Sequence, residues 1–92
     1  MTPDEAAAIG QDALIWLAGQ PETLASFLAA SGLAPEDLRR RAADPEFLGF
    51  VLEFIGSSDQ MILEFTAEAG LDPAAPMLAR AALPGGADRN WT

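Results

Sequence analysis

The chain contains no cysteine, histidine, lysine or tyrosine, and each absence removes a class of chemistry. Without cysteine there is no disulfide framework, no thiolate nucleophile and no soft metal site, which agrees with a reducing compartment and makes the cytoplasm the expected location. Without histidine a serine has no imidazole base, and a His/Cys zinc site cannot form. Without lysine there is no Schiff-base chemistry. No Asp-x-Asp-x-Asp-Gly loop occurs either, so calcium lacks its usual cradle. The expectation is a non-enzyme with no catalytic, cofactor-binding or metal-binding residues and no cofactor.

Positive charge is scarce. Fourteen carboxylates face five arginines, a net charge of −9 on 92 residues. Binding to nucleic acid or to an anionic lipid surface rests largely on cationic side chains, so neither is expected as a partner. A basic protein partner, or solubility alone, suits this charge better. Long apolar runs are missing too: the longest strongly apolar stretch, Ala13 to Ala18, is far short of the roughly 20 residues that cross a bilayer. The opening Met1-Thr2-Pro3-Asp4-Glu5 is acidic and helix-initiating, the opposite of a secretory signal. Valine occurs once, and alanine and leucine dominate. That composition favours helices.

The most informative feature present is a motif that occurs twice, Gly32-Leu33-Ala34-Pro35 and Gly70-Leu71-Asp72-Pro73, at an offset of 38 (70 minus 32). Each copy reads as a helix stop, an apolar contact and a new helix start. Around it the punctuation predicts helix 1 over about 3 to 18, helix 2 from Pro21 to the stop at Gly32, and helix 3 from Pro35 to about Ala43. Asp44-Pro45-Glu46 opens helix 4. Ser58 or Asp59 caps helix 5, which ends at Gly70, and Asp72-Pro73 leads into a last helix that properly begins at Pro76 because a proline disfavours the helical conformation of the residue before it. Residues 1–83 are expected to form one helical domain and 84–92 a flexible C-terminal tail.

On a helical wheel Phe47, Leu48, Phe50, Val51, Leu52, Phe54 and Ile55 cover most of helix 4, leaving Glu46, Gly49, Glu53 and Gly56 for water. Helix 4 is therefore the expected centre. The offset pairs Leu14 with Leu52, Phe27 with Phe65, Gly32 with Gly70 and Pro35 with Pro73, and it keeps apolar character at Trp16/Phe54 and Leu17/Ile55. The fold class expected is thus all-α, a compact bundle of five or six short helices that can be read as two similar three-helix halves. Convergence of caps and prolines would give the same pattern.

Few residues remain for function. Glu64 and Glu68 stand one turn apart beside Asp59 and Glu53, but catalytic carboxylate pairs face each other across a cleft, so a solvated helix face explains them better. Arg39-Arg40-Arg41 suits the last turn of helix 3, where Glu36 with Arg40 and Asp37 with Arg41 would pair at i, i+4. Acyl carrier proteins are also small, acidic and helical, yet no serine here sits in their Asp-Ser-Leu attachment sequence. Ile15 is different: it lies between polar neighbours on helix 1, and its counterpart at the offset is Glu53. An apolar residue where the other half carries a charge is a candidate contact residue, with Trp16 on the same rim and Trp91 in the tail as further anchors.

The run Ala13-Leu14-Ile15-Trp16-Leu17-Ala18, then Pro21-Glu22 and Phe27-Leu28-Ala29-Ala30-Ser31-Gly32-Leu33, resembles a family of small alphaproteobacterial proteins, domain of unknown function 3572. The resemblance continues through Asp44-Pro45-Glu46-Phe47-Leu48 and Glu68-Ala69-Gly70-Leu71 and ends near Ala82. It implies a compact cytoplasmic bacterial protein and assigns no functional residues. The functional expectation is a non-enzymatic interaction module, an adaptor or small regulator, acting on a protein partner or by self-association. The alternative is a small helical protein that binds an apolar ligand among Phe47, Phe50 and Phe54.

Overall fold

The computed structural model describes residues 1–84 and shows an all-α bundle. Its helices are α1 (Pro3–Ala18), α2 (Pro21–Ser31), α3 (Pro35–Arg41), α4 (Pro45–Gly56), α5 (Asp59–Ala69) and α6 (Ala75–Ala82). Prolines occupy the first position of α1 to α4, where a missing N–H forfeits no hydrogen bond. At the start of α1, Glu5 Oε1 accepts the Thr2 N–H at 2.8 Å and Thr2 Oγ1 accepts the Glu5 N–H at 3.1 Å, a reciprocal cap. The backbone bond from Thr2, and then its hydroxyl, hold the Glu5 carboxyl below its ordinary range. At the start of α3 only one half of such a cap forms, with Asp37 Oδ2 accepting the Ala34 N–H at 2.9 Å. Gly32 and Gly70 end α2 and α5 in the left-handed region, at φ 74° and 70°, as the repeated motif requires.

Helices α1, α4 and α6 pack on one another most extensively and form the centre. Six residues of α4 are buried, Phe47, Leu48, Gly49, Val51, Leu52 and Ile55, so α4 is central as its pattern predicts. It shares that place with α1, and the reason is a glycine: a Cβ on Gly10 would lie 2.8 Å from Leu48 Cβ, so the two helices cross where one has no side chain. Phe27 and Phe65 are fully enclosed, and burying each contributes about 1.5–3 kcal/mol.

The halves exchange contacts. Phe27 packs edge-on against Phe54 with ring centroids 5.1 Å apart, and Phe65 packs against Trp16 at 5.9 Å; at an offset of 38 these are the same pair with the halves swapped. Gly10 and Leu48, the residues at the α1–α4 crossing, are likewise equivalent positions. Two units related by a two-fold operation touch in this reciprocal way. Helices α2 and α5 also occupy identical positions at that offset. The correspondence fails at the third helix of each half: α6 lies on both α1 and α4, whereas α3 joins the core through Leu38.

Four expectations are corrected. Helix α6 begins at Ala75, one residue before Pro76, because the Asp72 side chain accepts the Ala74 N–H at 2.8 Å and the Asp72 carbonyl accepts the Ala75 N–H, presetting the turn. Gly49 is buried under Leu83, and Gly56 is half-buried against Met77, so neither is left to water as the wheel expects. Helix α3 stops at Arg41, two residues earlier than expected. Its ion pair joins Asp37 to Arg40 at i, i+3. The described residues stop short of most of the tail, including Trp91.

Candidate functional site

Helix α1 turns Ala6, Gly10, Ala13, Leu14 and Leu17 inward, so the positions between them face out at helical spacing. One of these is Ile15, and it is 71% exposed, the most exposed of the large apolar side chains among the described residues. It stands as a ridge between two grooves. On one side lies an open groove of about 320 Å³ bounded by Asp12, Trp16, Phe65 and Glu68. On the other lies a more apolar groove of about 400 Å³ lined by Leu14, Leu24, Leu38, Ala42 and Arg39. Ile15 borders both.

Trp16 belongs to the same face but is held from within. The residue is only 8% exposed, and its Nε1–H donates to Glu68 Oε2 at 2.9 Å. That bond ties α1 to α5 and spends the indole's one polar group inside the fold. Trp16 therefore lines the groove as a nearly buried residue, while Ile15 stands out beside it. Trp91 lies outside the described residues. Ile15 and Trp16, the two residues the sequence singles out on α1, border one groove; the Glu68 partner of Trp16 was missed, and its only signal was a carboxylate beside an aromatic-lined helix.

The other candidates are placed plainly. Glu64 accepts from Gln60 at 3.1 Å and Glu68 from Trp16, so the two carboxylates are engaged with different neighbours. Among the described residues no group of three or more Asp and Glu is arranged to hold a metal ion. Phe27 fills the space among Phe47, Phe50 and Phe54, with centroids 6.2, 5.5 and 5.1 Å away. The hollow beside Phe47 and Phe50 is an open groove of about 370 Å³ with Arg41, Asp44 and Glu46 on its rim. No helix among the described residues is long and apolar enough to cross a membrane.

A family model described as "Protein of unknown function (DUF3572)" matches residues 3–86. The chain belongs to this family. The match takes in the six helices of the described residues and both grooves beside Ile15, so the DUF3572 unit and the bundle coincide, and Trp91 lies beyond the matched residues. No match is found among curated proteins or among solved structures.

Proposed function

We propose that this DUF3572 chain is a non-enzymatic protein-interaction module of the cytoplasm, an adaptor or small regulator, that docks a partner on the outer ridge of α1. The observation that carries this is Ile15: an isoleucine 71% exposed between two grooves on a rigid helix. Exposed apolar side chains flanked by concave apolar surface are the usual anchors of interfaces. Trp16, fixed by Glu68, supplies a preorganised wall to one groove, so docking there loses little side-chain freedom. The rim carries both signs of charge, Asp12 and Glu68 on one side and Arg39 on the other, which favours a protein over a polyanion. A reading as an apolar-ligand binder draws less support, because Phe27 occupies the space among the three phenylalanines of α4.

The test is affinity capture by tagged chain in lysate of its own host, with Ile15→Glu as the comparison. Ile15 packs outside the core, so the variant is expected to keep its helical circular dichroism and lose the captured protein. Unchanged capture, with light scattering showing a strict monomer, would remove this face from consideration.

A further inference from the structure

The groove between α1 and α3 has a counterpart 38 positions later in the chain. Ile15, Ala18, Arg39 and Ala42 stand where the second half has Glu53, Gly56, Met77 and Arg80. There the end of Met77 lies against Gly56, so close that a Cβ on that glycine would sit 2.3 Å from Met77 Cε, and Arg80 reaches Glu53 at 3.1 Å. An apolar plug and an ion pair thus fasten α6 to α4. In the first half Arg39 replaces the plug and Ile15 replaces the acid, so neither fastening can form between α3 and α1. A groove of about 400 Å³ stays open instead.

What would complete this groove is an apolar knob with a carboxylate nearby to meet Arg39. The chain carries that combination on its own surface: Ile15 has Asp12 one helical turn before it and Glu68 across the adjacent groove. A uniformly basic partner would instead set its charge against Arg39. We infer that the occupant is a second copy of this chain, docked about a two-fold axis beside α1, so that Ile15 of each copy enters the open groove of the other. This inference rests on the docking role proposed above for the same face. An isologous contact must be self-complementary, and acid on one flank of the ridge with arginine on the other meets that condition, because the rotation lays each flank on its opposite. The net charge of −9 on each copy opposes approach at low salt, but at about 0.1 M salt repulsion beyond roughly 10 Å is screened while the short pairs remain.

Sedimentation equilibrium of the full chain from micromolar to millimolar concentration tests this. The wild-type chain is expected to dimerise and Ile15→Glu to remain monomeric. Arg39→Glu and Asp12→Arg should each weaken the dimer about tenfold, and an equimolar mixture of the two should recover it, because each variant offers the charge the other has lost. Arg39 and Asp12 are exposed, so this exchange decides the matter even if Ile15→Glu disturbs folding. A wild-type chain monomeric throughout overturns self-docking; the docking role of the face then stands if Ile15→Glu abolishes capture of a host protein, and falls with it if capture is unchanged. A dimer that ignores all three substitutions meets through another surface and overturns the inference.

Discussion

At the scale of single residues, the structure turns on a few positions where a side chain is missing or misplaced by the ordinary rules. Gly32 and Gly70 are the purest case: both sit at positive φ, and beyond the adjacent residues of the chain nothing lies within 4 Å of where a Cβ would be. Substituting alanine there meets no clash, so its cost is that of the backbone alone, about 1 kcal/mol. Gly32→Ala and Gly70→Ala are expected to lower the urea-unfolding free energy by equal amounts within error; a much larger loss for one would mean that its neighbours, not its conformation, set the requirement. These two glycines were legible from sequence because the motif around them is local. Ile15 was legible for another reason, since comparing the halves places it opposite Glu53. The Trp16 to Glu68 bond was not, because it joins residues 52 positions apart and no local rule selects one carboxylate among fourteen.

At the scale of helices, the boundaries were readable wherever caps and prolines fix them, and they slipped where a side chain presets a turn, as Asp72 does before α6. The wheel also misplaced Gly49 and Gly56. It counts glycine as polar, whereas here the lack of a side chain is what lets α6 come down on α4. Gly10 and Gly56 both sit at close helix crossings, yet they should respond differently to alanine. The neighbour at Gly10 is Leu48 Cβ at 2.8 Å, which moves only with its backbone, while the neighbour at Gly56 is the free end of Met77. Overpacking costs about 1–3 kcal/mol, and alanine in a helix returns up to about 1 kcal/mol. Gly10→Ala is therefore expected to destabilise by about 1–2 kcal/mol in urea, and Gly56→Ala to stay within about 0.5 kcal/mol of the parent. Equal losses would show that the α1–α4 crossing is as compliant as a methionine terminus. The larger groove beside Ile15, between α1 and α3, was not legible from helix punctuation, because it shows only when Arg39 and Ile15 are set against the Met77 and Glu53 that fasten the other half.

At the scale of the whole molecule, the halves are not independent. The buried stripe of α1 is covered by α4 and α6, so a fragment of residues 1–43 leaves its apolar face in water, and two of its three helices, of 11 and 7 residues, fall below the roughly 12–15 residues at which isolated helices persist. Such a fragment is expected to give less than half the helical circular dichroism per residue of the full chain, and to gain helicity when mixed with residues 44–92. Full helicity in the isolated fragment would contradict the exchanged packing of Phe27 and Phe65. That exchange has a consequence for the short connection Ala42-Ala43-Asp44 between α3 and α4. Where each half completes the other, a covalent link turns an encounter between separate molecules into a local event, with an effective concentration in the millimolar range or above. The connection thus makes folding independent of how dilute the protein is, a freedom that a pair of unlinked three-helix units would not have.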